Sequence, residues 1–266
     1  MTHRGADGEA RNNTAENRDA ENRDRETGRA ADRQARNHED LIRFYRAEVE
    51  GGRHLFDIWE SGGSRGDSVT PSTYSAAYRQ WMTEKLHAAL GATGGGLLSL
   101  GCGNAAVEAE VALRGHRVLA VDALPEAVAI ARSKGLDAER GDIHRWEPAE
   151  PWAVIYLDGV LGHLLDPAHG LVPVLRRVRS WLAPHGVLIA SNDAPQDGSP
   201  AQPAPGVHGF HWLSADQLRD QALRAGFGSA ETEEYRYRRP LSGERVRAVV
   251  TAHAHPRLPG PRGVAA

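Results

Sequence analysis

The chain has 266 residues, a formal net charge of −3 and one cysteine, Cys102, and this length suits one well-buried α/β domain with extensions. One cysteine excludes an intrachain disulfide and a cysteine-rich zinc site, and because the histidines are not compactly spaced we expect no metal site. The small charge and the lack of a basic block predict that nucleic acid is not a partner. Because we find no signal peptide and no apolar run of about 20 residues, we expect a cytoplasmic protein without a membrane partner.

Shifts in composition divide the chain into four segments. Residues 1–38 alternate arginine with acids and asparagine, which predicts a disordered, solvated tail rather than a nucleic-acid arm. Residues 39–90 carry apolar residues at helical spacing and are predicted to form a helical cap or lid. The main domain is expected over residues 91–255, and residues 256–266, rich in Pro and Gly, are expected to form a loose tail.

One face of the predicted cap is aromatic. Tyr74, Tyr78 and Trp81 recur at helical spacing after Ser72, which is placed to cap the helix. Two interpretations are open, because this face either packs onto the core or closes over a ligand cleft. In the second case Tyr74 and Arg79 would lie near the ligand.

The residues from Leu97 to Asp122 predict a strand-helix-strand unit. A buried strand over Leu97–Leu100 leads into a glycine turn (Gly101–Gly103), then a helix, then a second buried strand that ends in Asp122. A glycine turn lets the backbone approach a ligand at a helix N-terminus, and an acid about 20 residues later can accept hydrogen bonds from a ribose. The unit therefore predicts a cofactor that contains a nucleoside.

Helices and strands alternate after this unit, which predicts a parallel sheet wound on both faces. Ligands of such sheets lie at the carboxyl ends of the strands. Gly101, Asp122, Asp142 and Asp158 each follow a predicted strand, so we expect them to converge on one crevice. The predicted elements are a helix from Pro125, a helix over 171–182, and strands over 136–139, 152–158 and 187–190.

Residues 192–211 are rich in Pro and Gly and too long for an ordinary connection. They predict a functional loop or lid, with His208 and His211 at its end. Beyond this loop, the sequence predicts a helix over 215–225 and an antiparallel pair of strands over 231–238 and 246–254.

Six short segments between Leu97 and Ala254 carry a family pattern. They are residues 98–105 (LSLGCGNA), 121–122 (VD), 141–143 (GDI), 158–163 (DGVLGH), 181–186 (WLAPHG) and 214–227 (SADQLRDQALRAGF). Together they resemble the class I S-adenosylmethionine-dependent methyltransferases, in particular the branch that acts on small molecules. The resemblance implies an α/β, Rossmann-like, doubly wound sheet of seven strands, mostly parallel with an antiparallel last strand, plus an N-terminal helical cap. It also implies S-adenosylmethionine as the cofactor and S-adenosylhomocysteine as its product.

The resemblance implies that the strand-end loops hold the cofactor. Asp122 would bind the ribose, Asp142 the adenine amino group, and Asp158 the methionine end or the acceptor. Two positions depart from the family pattern, because Ser99 stands where an acid is usual and Ala105 where a third glycine is usual. Ser99 would then brace the glycine turn more weakly than an acid. The expected cofactor-binding residues are Gly101, Cys102, Gly103, Asn104, Asp122, Ala123, Asp142, Ile143, Asp158 and Gly159, with Tyr74 and Arg79 from the cap.

The reaction implied is one in-line displacement, because the methyl group of a sulfonium is already a strong electrophile. A protein base is needed only if the acceptor must lose a proton. Histidine titrates near neutrality, which makes His163, His208 and His211 candidate catalytic residues, although each also fits a bracing role in its loop. Tyr74 is a further candidate, either binding the methionine end or orienting the acceptor.

A variable cap, six tryptophans and a Pro-rich loop favour a small, partly apolar acceptor in a pocket, as in natural-product (antibiotic) biosynthesis. We expect a monomer or a homodimer. An alternative stays open because Gly101-x-Gly103-x-x-Ala106 also fits the dinucleotide fingerprint of an NAD- or FAD-dependent oxidoreductase. A second alternative is a non-catalytic protein that binds an adenosyl cofactor.

Overall fold

The computed structural model describes residues 42–47, 52, 54–63, 70–205, 207 and 209–256. The predicted disordered tail over 1–38, the candidate His208 and nearly all of the predicted C-terminal tail lie outside the described residues. The chain forms two compact units, Met1–Tyr45 and Arg46–Ala266, and the described residues of the first are helical. Within the described ranges, no helix combines the length and the apolar character that a bilayer crossing requires.

Besides the helical residues 42–46, the described part of the chain has three helices before the sheet, namely α1 (Leu55–Glu60), α2 (Pro71–Tyr74) and α3 (Ala76–Thr93). The N-cap of the long helix is Ser75, whose hydroxyl accepts from the Tyr78 N–H, so the prediction of Ser72 as the cap was wrong. The reason is that Ser72 lies inside the separate short helix α2, which ends before α3 begins. Tyr78 is fully buried, whereas Tyr74 and Trp81 are partly buried, so the core-packing interpretation holds for Tyr78.

The remaining elements alternate as the sequence predicted. The strands are β1 (Leu97–Leu100), β2 (Val118–Asp122), β3 (Asp137–Arg140), β4 (Trp152–Asp158), β5 (Leu182–Asp193), β6 (Ala201–Pro203), β7 (His211–Leu213), β8 (Ser229–Arg239) and β9 (Gly243–His253). The helices are α4 (Ala106–Leu113), α5 (Pro125–Ser133), α6 (Val172–Ser180) and α7 (Ala215–Arg224), with a 3-10 turn over Leu161–His163.

Seven strands form one sheet in the order β3-β2-β1-β4-β5-β9-β8. The pairings from β3 across to β5 are parallel, whereas β9 runs antiparallel to both β5 and β8. The seven-stranded, doubly wound sheet with an antiparallel last strand is therefore confirmed. Buried apolar residues cover both faces of the sheet, with α6 and α7 packed on one face and α3, α4 and α5 on the other.

The region predicted as a long loop over 192–211 is partly regular. Strand β5 continues to Asp193 and pairs with β9, and Ala201–Pro203 pairs antiparallel with His211–Leu213 as a small second sheet. The sequence prediction ended β5 too early, because the polar residues 191–193 looked like the start of a loop. In the fold their side chains are fully buried and find polar partners, so the strand continues through them.

Candidate functional site

The loops that follow β1, β2, β3 and β4 meet at one edge of the sheet, the strand-end edge, as the sequence predicted. Gly103 donates its N–H to Asp122 Oδ2 (3.0 Å), and Gly141 donates its N–H to the Asp122 carbonyl (2.9 Å). A Cβ built on Gly101 would lie 2.5 Å from Val160 Cγ2, so the loop after β1 touches the loop after β4. The loops that the sequence singled out therefore lie together at one edge of the sheet.

The backbone of the glycine turn needs residues without bulky side chains. Gly101 and Gly103 have φ angles of +70° and +54°, in the left-handed region that favours glycine. Ala105 follows with φ of +51°, in the same region, just before α4 begins. Alanine can adopt this conformation at a cost of about 1–2 kcal/mol, so the departure from a third glycine leaves the path of the backbone intact.

Asp122 ties the end of β2 to the glycine turn. Its Oδ2 accepts from Gly103 N–H, and its Oδ1 accepts from Leu124 N–H at 2.9 Å. Burial raises the pKa of Asp122 to about 6, against the lowering effect of these backbone hydrogen bonds. An ionised carboxylate has about four acceptor positions, so this carboxylate keeps acceptor capacity for a ligand hydroxyl.

Behind the glycine turn lies a carboxylate that sequence reasoning missed. Ser99 Oγ, on β1, donates to Glu108 Oε1 on α4 at 2.6 Å, and both residues are buried. Burial raises the pKa of Glu108 to about 7, although the Ser99 hydrogen bond lowers it. The sequence did carry a signal for this carboxylate, because Glu108 is an acid between Val107 and Val111, on the side of the helix that is expected to face the core.

The outer side of the glycine turn is covered by α1. Lys134 Nζ donates to the Asn104 carbonyl at 2.5 Å and to Glu60 Oε1 at 2.7 Å. Trp59 lies against the turn as well, because a Cβ on Gly103 would be 3.5 Å from Trp59 Cζ3. Helix α1, which lies within the predicted cap, therefore reaches the strand-end edge. Cys102, within the turn, is buried, and burial raises its pKa well above the ordinary value.

The loop after β3 is fixed from α6. Asp142 Oδ1 accepts from the His144 N–H at 3.0 Å, which closes a tight turn. Arg177 donates to the Ile143 carbonyl (3.0 Å) and to the Trp146 carbonyl (3.0 Å). Ala123, at the neighbouring strand end, accepts from Arg140 Nε at 3.2 Å. The predicted adenine loop thus has a defined conformation.

Asp158, at the end of β4, is surrounded by donors on one oxygen. Its Oδ1 accepts from Tyr78 OH (3.2 Å), from Ser191 Oγ (2.5 Å) and from the Arg247 guanidinium. Burial alone would raise the pKa of Asp158, but the Arg247 charge and these hydrogen bonds keep it below its usual value. The carboxyl is therefore an anion at neutral pH.

The other oxygen of Asp158 is in a different situation. Oδ2 is buried and makes no hydrogen bond within the described part of the chain, although the nearby Ser72 hydroxyl helps to lower the Asp158 pKa. The adjacent Gly159 has φ of +75°, and a Cβ there would lie 2.4 Å from Thr70 Cγ2. Thr70, just before α2, thus lies against the end of β4, where Asp158 carries a buried anionic oxygen.

A second buried acid continues this network away from the crevice. Asp193 Oδ1 accepts from Arg247 Nη1 (3.0 Å) and from Tyr237 OH (2.6 Å). Arg239 contacts Asp193 Oδ2 and also donates from Nε to Tyr237 OH at 2.9 Å. Arg247 therefore joins Asp158 to Asp193 through one guanidinium. Sequence reasoning missed this network, whose signal was polar residues at alternate positions of β8 and β9.

His163 and His211 lie on neighbouring loops, and His208 is outside the described residues. The His163 ring contacts the Phe210 ring with centroids 4.4 Å apart. Burial lowers the pKa of His163 to about 3, with a smaller contribution from His211, so His163 is a neutral and weakly basic group at pH 7. Burial also lowers the pKa of His211, whose Nδ1 is buried and without a hydrogen-bond partner among the described residues.

Asn192, at the end of β5, holds these two loops together. Its Oδ1 accepts from the Gly162 N–H at 3.2 Å, and its Nδ2 donates to the His211 carbonyl at 2.9 Å. A Cβ on Gly162 would lie 2.3 Å from the same carbonyl, so the loop after β4 and strand β7 are in direct contact. His211 is thereby fixed beside the loop that begins at Asp158.

Tyr74 and Arg79 make contacts within the protein. Tyr74 OH donates to the Arg238 carbonyl at 3.1 Å. Arg79 donates to the Ser72 carbonyl at 3.1 Å and pairs with Glu110 at 3.5 Å. From the cap, the Tyr78 hydroxyl reaches the carboxylate of Asp158 at the end of β4. A role for Tyr74 or Arg79 toward the ligand stays a prediction.

Comparisons with known proteins agree with this architecture. The family model described as "Methyltransferase domain" matches residues 74–231, more than half of the chain. A tabtoxin biosynthesis enzyme from Pseudomonas amygdali pv. tabaci is 41% identical over 202 residues, covering 74% of this chain and 80% of the relative.

Two solved structures share the fold. One is the Burkholderia thailandensis 1,6-didemethyltoxoflavin-N1-methyltransferase with bound 1,6-didemethyltoxoflavin and S-adenosylhomocysteine (TM-score 0.54, 22% identity, covering 68% of this chain and 80% of that chain). The other is the glycopeptide N-methyltransferase MtfA complexed with sinefungin (TM-score 0.51, 15% identity, covering 71% of this chain and 96% of that chain).

The family match decides between the two cofactors that the glycine turn allowed, in favour of S-adenosylmethionine over a dinucleotide. It also agrees with the loops after β3 and β4, which the dinucleotide alternative left without a role. The chain belongs to the methyltransferase domain family, within the class I S-adenosylmethionine-dependent methyltransferases.

Proposed function

We propose that this methyltransferase methylates a small-molecule acceptor in natural-product biosynthesis, by in-line displacement at the strand-end edge. The observation that carries the proposal is the closeness of the surrounding segments at this edge. Trp59 lies against the glycine turn, Thr70 against Gly159, and Phe210 against Gly162. A crevice enclosed by the protein's own cap and β-hairpin suits a small acceptor better than a macromolecular one.

The relatives support the same direction. The curated relative is named for tabtoxin biosynthesis, and a fold neighbour binds 1,6-didemethyltoxoflavin, a small molecule. Both point to biosynthetic chemistry on small acceptors. We expect a cytoplasmic protein, and a monomer or homodimer, which light scattering would distinguish.

The residues of the edge fit S-adenosylmethionine. Position 101 requires glycine, because a Cβ there would clash with Val160 and the backbone has a positive φ angle. Asp122 has acceptor positions left for ribose hydroxyls, and Asp142, on a turn held by Arg177, would accept from the adenine amino group. Cys102, Asn104, Ala123 and Ile143 would line the same cofactor site.

When bound, the cofactor supplies an electrophilic methyl group on a sulfonium. The contribution of the chain is to hold the acceptor in line and to exclude water. Asp158 Oδ2 would accept a hydrogen bond from an N–H or O–H of the acceptor or of the methionine end. Against the raising effect of burial, the Arg247 guanidinium holds the pKa of this carboxyl below its usual value, which makes it a weak base, so Asp158 would orient a donor rather than remove its proton.

If the acceptor must lose a proton, His211 is the better described base. Its Nδ1 makes no hydrogen bond among the described residues, whereas the pKa of His163 near 3 makes that imidazole a poor proton acceptor. Asn192 holds His211 beside the loop after β4. His163 would then brace the loop through Phe210, and His208 stays a candidate from the sequence alone.

Calorimetry with S-adenosylhomocysteine tests the cofactor assignment first. Incubation with S-adenosylmethionine and small-molecule extracts of the source organism then tests catalysis, with mass spectrometry for a product 14 Da heavier, a mass gain that we expect only with the active enzyme. Asp158→Asn should reduce turnover while leaving S-adenosylhomocysteine binding within about twofold if the acceptor uses Oδ2. Cofactor binding without any methylated product would favour the non-catalytic alternative.

A further inference from the structure

The acid beneath the glycine turn comes from a helix in this chain. Strand β1 carries Ser99 two residues before Gly101, and its hydroxyl donates to the Glu108 carboxylate at 2.6 Å. Ser99 and Glu108 are only 1% and 4% exposed. The hydrogen bond therefore joins the strand before the turn to the helix after it, and it places a carboxylate between them.

Glu108 interacts electrostatically with groups in the glycine turn and on β4. Asp158, on β4, raises the Glu108 pKa and Lys134, beyond α5, lowers it. Glu108 in turn raises the pKa of Cys102 in the glycine turn and of Tyr156 on β4. Asp122, on β2, acts on the same thiol. The carboxylate of Glu108 is thus within electrostatic reach of the turn and of the end of β4.

We propose that Glu108 is a positioning and specificity residue for the cofactor, supplying from α4 the negative charge that favours the cationic S-adenosylmethionine over neutral-sulfur S-adenosylhomocysteine. This inference rests on the proposed placement of the cofactor at the glycine turn. Ser99 keeps the carboxylate directed toward β1, so the pair replaces the acid that the family usually carries at position 99.

Charge gives the proposal a physical basis. A sulfonium is positive and a thioether is neutral, so a buried carboxylate stabilises the first and has little effect on the second. The discrimination would favour binding of the substrate cofactor and release of its product. Because Glu108 has a pKa of about 7, the preference should increase as the pH rises from about 6 to about 8 and Glu108 ionises.

The test uses calorimetric affinities of the full chain for both ligands at pH 6 and pH 8. Glu108→Gln keeps an oxygen acceptor for Ser99 but removes the charge. We expect this variant to lose about tenfold in affinity for S-adenosylmethionine at pH 8, which is about 1.4 kcal/mol, and to change by less than about twofold for S-adenosylhomocysteine. Glu110→Gln, the same substitution at a partly exposed position of α4, is the matched control and should change neither affinity.

The double variant Ser99→Asp with Glu108→Gln moves the charge back to β1. We expect it to regain most of the affinity for S-adenosylmethionine, which a purely structural role for Glu108 would not produce. The ligand amino group and Asp122 also titrate, but they do so in every variant. A difference in pH dependence between the wild-type protein and a variant therefore reports on the charge of Glu108. Circular dichroism and thermal melting verify that each variant is folded.

Equal losses for the two ligands in folded Glu108→Gln, or no loss for either, would overturn the charge role. A double variant that stays as weak as Glu108→Gln would also contradict it. Failure of the wild-type protein to bind either ligand would instead overturn the proposed cofactor placement, so the two failures can be told apart.

Discussion

The strand-end edge has two halves that are held together in different ways. In the half formed by β1, β2 and β3, most of the contacts involve a backbone group, as when Gly103 and Gly141 donate N–H groups to Asp122. In the half formed by β4, β5, β8 and β9, they use side chains from strands far apart in sequence, and Arg247 joins Asp158 to Asp193. We refer to them as the backbone half and the side-chain half.

The two halves differ in their sensitivity to substitution. The backbone half depends on a few residues with special conformations, since backbone donors are present whatever the side chains are. The side-chain half is a set of buried charges, in which loss of one member leaves the others uncompensated. We therefore expect substitutions in the backbone half to affect ligand binding and those in the side-chain half to affect stability.

The largest expected effect is that of Arg247→Met. Arg247 is 1% exposed and bonds to both Asp158 and Asp193, so its loss leaves two buried carboxylates without their shared cation. Breaking a buried ion pair from one side costs about 3–5 kcal/mol of folding free energy. Urea unfolding followed by circular dichroism measures this loss.

Arg114→Met is the matched control, because Arg114 pairs with Glu84 on the exposed surface. Its unfolding midpoint should move far less than that of Arg247→Met, since exposed pairs contribute little. Equal shifts for the two variants would show that the side-chain half is not held by its buried charges.

This difference also explains what could be predicted from the sequence. The glycine turn and Asp122 belong to one continuous segment of about 25 residues with local periodicity, so the β1-α4-β2 unit was predictable. The Arg247 network joins residues 158, 193, 239 and 247, and its partners become neighbours only through the strand order. Ser191, Asn192 and Asp193 looked like loop residues because polarity alone does not show which polar groups have buried partners.

In the backbone half, Gly101→Ala should have the strongest effect. Alanine at φ of +70° costs about 1–2 kcal/mol, and its Cβ would also lie 2.5 Å from Val160 Cγ2. We expect S-adenosylhomocysteine affinity to fall by about tenfold or more in calorimetry, because the turn must move. Gly115→Ala controls for backbone strain, because Gly115 has φ of +86° but no atom within 4 Å of the added Cβ. Equal affinity losses in both variants would exclude a local effect on the turn.

Asp122→Asn tests the acceptor role of the β2 carboxylate. Asp122 accepts from Gly103 and from Leu124 with one carboxylate oxygen each. Asn has a single carbonyl oxygen, so the two N–H groups can no longer each have an oxygen of their own. An unmade buried hydrogen bond costs about 1–3 kcal/mol, which predicts a loss of S-adenosylhomocysteine affinity of about fivefold or more. Asp137→Asn, at an exposed position of β3, should leave the affinity unchanged. Unchanged affinity in Asp122→Asn would remove this residue from the cofactor site.

The smallest expected effect separates two tyrosines of the cap. Tyr78→Phe removes a buried hydroxyl that contacts Asp158 Oδ1 and Ser191 Oγ, but leaves Arg247 on the same carboxylate. We expect a loss of about 0.5–1.5 kcal/mol of folding free energy, measured by urea unfolding. Tyr74→Phe removes a hydroxyl that donates to the Arg238 carbonyl near the surface, so its stability loss should be smaller. A larger stability loss in Tyr74→Phe than in Tyr78→Phe would place the link between the cap and the side-chain half at Tyr74 instead.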